Sequence, residues 1–217
     1  MISFFRCCIF VFLFVFTLTA FAQTPCEPGK NAPTENCRLG DSDTATARQK
    51  IQQFQDVVKA KISKNMSADQ KQMFLNSMYE YFDFATMAEA ALFGEWDKRT
   101  IEERARFTVA FTSMLQRNYL KKLYDHANYT ITIVSEKIKE DKAQISTRLS
   151  RNAKSAATID VTYRLHKTKT GWRIYDVLTD EVSLVRNYRS TFSEILKNKG
   201  FSGLLEHLQS QSSGPLP

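Results

Sequence analysis

Two aspartates stand in surroundings that can turn a carboxyl group into a catalyst. Asp83 sits within Tyr81-Phe82-Asp83-Phe84, and Asp176 within Ile174-Tyr175-Asp176-Val177. Burial disfavours the charged form of an acid, so a carboxyl enclosed by such side chains gains a raised pKa and becomes a candidate general base for an apolar substrate. The same positions have a structural reading, in which Asp83 caps a short helix and Asp176 accepts hydrogen bonds at a strand end. No other constellation for chemistry is present. There is no Gly-x-Ser-x-Gly, no His-Glu-x-x-His and no glycine-rich phosphate loop, and His126, His166 and His207 lie far apart. These absences favour a chain without catalytic residues, metal or cofactor.

The first 22 residues predict an export signal. Arg6 precedes an apolar run from Cys7 to Leu18, and Thr19-Ala20-Phe21-Ala22 offers the small-x-small pattern for cleavage after Ala22. The rival, a retained anchor, meets a run shorter than the ~20 residues a bilayer span needs. Cys26 follows Pro25 rather than a small residue, which argues against lipid attachment. Cleavage removes Arg6 and no acid from 30 Lys plus Arg against 23 Asp plus Glu, leaving 29 against 23, a formal +6. The charges are interspersed, and no run of like charge marks a nucleic-acid surface. Cys7 and Cys8 leave with the signal. In an oxidising compartment Cys26 and Cys37 most simply close one small disulfide loop.

The elements that must position the two aspartates are read from apolar periodicity. Ile51, Phe54, Val57, Val58 and Ile62 form one stripe on a helix over Ala47–Lys64. Ser67 with Gln70 opens a helix carrying Met73, Phe74, Met78 and Phe82 on one side; Asp83 caps the next, and Gly94 ends it. Thr100 with Glu103 opens a long helix to Tyr124 that presents Phe107, Phe111, Met114, Leu115 and Leu123 to the core. The period then falls to two. Four runs, around Tyr129–Ile133, Ile145–Leu149, Ile159–Leu165 and Trp172–Leu178, predict an antiparallel meander with one face on the helices. On the fourth strand, strict alternation sends Tyr175 and Val177 one way and Trp172, Ile174 and Leu178 the other. A helix over Asn187–Lys199 stops at Gly200, and Ser202 caps a last turn or two with Leu204, Leu205 and Leu208. The fold class is α+β in a single domain, residues 46–209, between a flexible leader 23–45 and a tail 210–217.

The aromatic content is high. Of 16 Phe, seven belong to the signal, and nine remain with eight Tyr and two Trp. Such a load builds a thick core or lines a cavity for an apolar ligand, and periodicity does not separate the two.

Three stretches resemble the MlaC family, the toluene-tolerance or ABC-transporter auxiliary family of Gram-negative periplasms. One runs Tyr81-Phe82-Asp83-Phe84-Ala85-Thr86-Met87 to Ala91-Leu92-Phe93-Gly94-Glu95-Trp96. The second is Glu102-Glu103-Arg104-Ala105-Arg106-Phe107, continuing through Phe111, Leu115, Tyr119 and Leu123. The third is Gly171-Trp172-Arg173-Ile174-Tyr175-Asp176-Val177, then Val182-Ser183-Leu184-Val185, Asn187-Tyr188-Arg189, Phe192 and Gly200-Phe201-Ser202-Gly203-Leu204-Leu205. Their order and spacing carry the resemblance from about Ile51 to Leu208.

The resemblance implies a curved four-stranded sheet against several helices and a soluble, monomeric periplasmic carrier. Its cargo would be phospholipid held by the acyl chains, moved between an outer-membrane lipoprotein complex and an inner-membrane ABC transporter with its substrate-binding ring, in support of outer-membrane lipid asymmetry. Burial is worth ~0.8 kcal/mol per CH₂, so acyl chains crossing water need such a cover. The lipid-binding candidates are Phe82, Met87, Leu92, Phe107, Phe111, Leu115, Val161, Tyr163, Leu165, Tyr175, Val177, Val182, Val185, Tyr188 and Phe192, each with a plain core reading beside it. Lys121, Lys122, Arg186 and Arg189 are candidates for phosphate head groups or acidic partners. Two rivals stay open: a carrier of a hopanoid or other polycyclic lipid, and a small enzyme using a buried Asp. The family commonly has Gly just before Val-Ser-Leu, where this chain has Glu181, so a turn needing positive φ would be strained there.

Overall fold

The computed structural model describes residues 45–63, 65–125, 128–151, 158–214 and 216. The signal, Cys26 and Cys37 lie outside the described residues.

Local sequence sets the helix starts. Helix α1, Ala47–Lys61, opens on a capping box between Thr46 and Gln49, and α2, Ala68–Ser77, on one between Ser67 and Gln70. Each box satisfies N–H groups that a helix start leaves without partners. After α2 the chain tightens into a 3₁₀ turn, Met78–Glu80, which buries Met78. Phe74 and Leu75 are the residues of α2 that the core encloses, whereas Met73 stands 69% exposed, against the expected stripe. Asp83 caps α3, Phe84–Ala91, and Gly94 follows it at φ +81. Helix α4, Ile101–Asp125, opens where Thr100 N–H donates to Glu103 Oε2 (3.0 Å) and Glu103 N–H donates to Thr100 Oγ1 (3.2 Å).

The second half is an antiparallel meander: β1 Thr130–Lys139, β2 Lys142–Ser150, β3 Thr158–Thr168, β4 Gly171–Thr179 and β5 Val182–Ser183, in sequence order. The sheet thus has five strands rather than four. The fifth is two residues long, too short for any periodicity to announce it. Facing pairs Ile145–Tyr163–Val177 and Ala143–Leu165–Ile174 run across the inner face of the sheet and are buried in one core with α1, α3, α4 and α5. The edge of β4 is also covered upstream of β5: Asp83 N–H donates to Ile174 O (2.8 Å) and Ile174 N–H to Tyr81 O (2.7 Å). That pairing fixes the segment bearing Asp83 against the sheet.

The strict alternation expected on β4 fails at a bulge. Arg164 pairs with Asp176 and Leu165 with Ile174, leaving Tyr175 as the extra residue. A bulge reverses the side-chain phase beyond it, so Val177 joins the inner face with Ile174, and Tyr175 turns out toward His166, ring centroids 5.4 Å apart.

Ser183 caps α5, Leu184–Ser212, its hydroxyl accepting from Arg186 N–H; the helix therefore starts before Asn187. Gly200, at φ 64 and ψ −171, breaks it into two helical arms, as the stop expected there requires. The second arm runs to Ser212, past the point where the sequence suggests a tail, because Leu204, Leu205 and Leu208 anchor it in the core.

The turn between β4 and β5 is Asp180-Glu181, with φ of 48 and 68. Positive φ at both central residues is what a type I′ hairpin loop demands, and Asp-Gly meets that demand far better than Asp-Glu. Left-handed backbone costs a non-glycine residue roughly 1–2 kcal/mol. Glu181→Gly should therefore stabilise the fold by about 1 kcal/mol, raising the melting midpoint by about 2–4 °C. A thermal scan with an unchanged or lowered midpoint would refute the strain.

Candidate functional site

Two aromatic groups lie in the core, one between α4 and α5 and one between α1 and the sheet. In the first, α4 contributes Phe107 and Phe111, one turn apart and stacked with centroids at 5.6 Å, while α5 contributes Tyr188 and Phe192, stacked at 5.5 Å. Phe192 meets both α4 rings edge-on, at 5.7 and 5.5 Å. The second group centres on Phe54 of α1, which lies 5.2–6.3 Å from the rings of Tyr81, Phe82, Tyr119 and Tyr163. Edge-to-face geometry of this kind adds to the burial energy of each ring. Burial among these rings pushes the hydroxyls of Tyr119 and Tyr163 upward in pKa. Neither hydroxyl is poised to ionise in these apolar surroundings.

Of the fifteen lipid-binding candidates, twelve lie in the buried core: Phe82, Met87, Leu92, Phe107, Phe111, Leu115, Val161, Tyr163, Leu165, Val177, Val185 and Phe192. Tyr188 packs at its margin, with its hydroxyl 3.3 Å from Asn118 Nδ2. Two fall elsewhere. Val182, on the short β5, is 64% exposed, and the bulge directs Tyr175 to His166. Phe54, the hub of the second group, was visible in the sequence only as one member of an apolar stripe.

Both aspartates are held by donors. Asp83 Oδ1 accepts from Thr86 N–H (2.9 Å), and Oδ2 accepts from the Thr86 hydroxyl (2.9 Å) and lies 2.9 Å from His166 Nε2. Burial raises the Asp83 pKa, but the bonds from Thr86 and His166 together outweigh it and hold the carboxyl below its usual range. That is the opposite of the raised pKa a general base needs. Asp176, 4% exposed, accepts from Ser183 Oγ (2.7 Å), Val185 N–H (3.2 Å) and Arg164 Nη1 (3.3 Å). It ties β4 to β5 and to the start of α5. The capping and strand-end readings describe both residues. Among the described residues no group of three His, Cys, Asp or Glu is placed to hold a metal, and no helix is long and apolar enough to cross a membrane.

Of the basic candidates, Lys121, Lys122 and Arg186 are exposed. Arg189 is engaged: its Nε donates to Ala90 O (3.1 Å), and the guanidinium sits 4.5 Å from the Phe93 ring centroid.

The sequence model described as "MlaC protein" matches residues 48–210, from the first turn of α1 to the last turns of α5. The chain belongs to the MlaC family. Both aspartates and both aromatic groups fall inside the matched span. The chain is 25% identical over 144 residues to the intermembrane phospholipid transport system binding protein MlaC of Haemophilus influenzae, covering 65% of this chain and 67% of that one. In structure it resembles a phospholipid-binding protein from Ralstonia solanacearum, solved in complex with a phospholipid, with a TM-score of 0.69. That likeness has 20% sequence identity and covers 77% of this chain and 97% of the other. It establishes for this MlaC-family chain the same α+β fold.

Proposed function

We propose that this chain is a periplasmic phospholipid carrier, exported by a cleaved signal, that shelters acyl chains between the meander and the helices. The observation that carries the reading is the enclosure of two aromatic groups within a span that matches the MlaC family along its whole length. Acyl chains need extensive apolar cover, and rings from α1, α4 and α5 supply it. The named function of the Haemophilus relative and the phospholipid in the Ralstonia structure support phospholipid as cargo. On this reading the cargo is exchanged with an outer-membrane lipoprotein complex and with the substrate-binding ring of an inner-membrane ABC transporter. The protein does no chemistry on the lipid, since both carboxylates are committed to structural donors.

Native mass spectrometry after gentle purification should find phospholipid bound, and the delipidated chain should extract phospholipid from labelled vesicles. Recovery of an empty chain that takes up no lipid would reject the carrier reading. Identification of a polycyclic lipid in the extract would replace the cargo and keep the carrier.

A further inference from the structure

A surface groove of about 500 Å³ opens where the β3–β4 hairpin meets α3 and α4. This is within the range of small-molecule sites. One wall is apolar: Tyr79, Phe84 and Val109, with Tyr79 set edge-on to Phe84 at 5.1 Å. Tyr79 is 55% and Val109 68% exposed, so this wall holds apolar surface in water. The other side is the hairpin, with Thr168, Thr170 and Arg173. Arg173 is held in place rather than free: Nη1 donates to Trp172 O (3.2 Å) and Nη2 to Thr170 Oγ1 (3.1 Å). Those two bonds leave N–H groups of its planar guanidinium available. Among the described residues no carboxylate lies within 4.0 Å of it in an ion pair. Asp83 also lines the groove, but its oxygens are turned to Thr86 and His166.

The groove and the interior share one side chain. Phe82 lines the groove and stacks on Phe84 (5.6 Å), and it also meets Phe54 (5.3 Å) and Tyr119 (5.7 Å) of the inner aromatic group. An oriented cation without an acid, an exposed apolar wall and a ring leading inward match a molecule with an anionic head and an apolar tail. Resting on the carrier reading above, we propose that this groove is the entry subsite for phospholipid, its phosphate on Arg173 and its first acyl chain against Tyr79, Val109 and Phe84.

The test uses the full chain and compares uptake, from detergent-free dispersions, of phosphatidylglycerol and of diacylglycerol with the same chains. Arg173→Gln should lower phosphatidylglycerol uptake about tenfold and leave diacylglycerol uptake unchanged, with Arg173→Lys recovering part of the loss, since a charged hydrogen bond is worth roughly 1.5–3 kcal/mol. Val109→Asp, at a position 68% exposed to solvent, should lower uptake of both lipids. If Arg173→Gln takes up both lipids as the parent does, or Val109→Asp changes neither, the subsite is overturned while the carrier reading stands. If the parent chain takes up neither lipid, the carrier reading fails and the subsite with it. Inorganic phosphate at millimolar concentration should not displace bound phosphatidylglycerol. Saturation of Arg173 by phosphate at concentrations where the lipid binds would make the groove a free-phosphate site and overturn the lipid assignment.

Discussion

Phe111→Ala is expected to destabilise the protein by about 3–5 kcal/mol, the range for removing a fully buried aromatic ring. Phe111 is 0% exposed and touches three rings, Phe107, Tyr188 and Phe192, at 5.4–5.6 Å. These rings come from α4 and from the first arm of α5, so closing the gap would require shifting a whole helical segment. Natural domains have only about 5–15 kcal/mol of net stability. A fall in the melting midpoint of at least about 6 °C follows from the usual scaling at this chain length. A loss below about 1 kcal/mol in urea denaturation would contradict the packing described.

The same variant separates a core wall from a lipid wall, which composition alone does not. A ligand that binds only the folded state stabilises it by about 2.7 kcal/mol at a hundredfold excess over its Kd. If an acyl chain runs against Phe111, phospholipid should raise the midpoint of the alanine variant more than that of the parent, because the chain fills the gap. Equal increments in both would place the lipid away from Phe111 and remove it from the candidate contacts.

What the sequence disclosed follows the range of the interactions. The boxes Ser67/Gln70 and Thr100/Glu103 and the Asp83 cap span three residues each, so their partners stand side by side in the chain, and all three form as expected. The Gly200 break is equally local. The β4 bulge is not. Its position depends on how β4 registers against β3, and nothing in Trp172–Leu178 alone shows that Tyr175 is the residue left out. That one-residue shift is why Tyr175 and Val177, assigned to one face from alternation, part company. Val182 stands exposed where the sequence offers no sign of it, because a two-residue strand has no pattern to show which way its side chains face. Phe54 became the hub of an aromatic group only when the Tyr81–Asp83 segment docked on β4, a contact about ninety residues apart in the chain.

Asp176→Ala should cost about 3 kcal/mol, and the neighbouring groups explain why so small a truncation does so much. The carboxylate accepts from three donors on three elements: Arg164 of β3, Ser183 of β5 and the Val185 N–H in the first turn of α5. Hydrogen bonds to a charged group are worth roughly 1.5–3 kcal/mol each, but they do not simply add. Arg164 retains access to solvent, its side chain 26% exposed, and rehydrates in the variant. The Val185 N–H does not, since that residue is 4% exposed. An orphaned N–H there loosens the helix start that Ser183 also caps through Arg186 N–H. Asp176→Asn keeps the volume and one acceptor, so it should lose only about 1–2 kcal/mol. The order alanine below asparagine below parent in urea midpoint tests a structural anchor. If instead both variants keep the parent's stability, the bonds to Ser183 and Val185 carry no load, and a chemical role for Asp176 regains its standing.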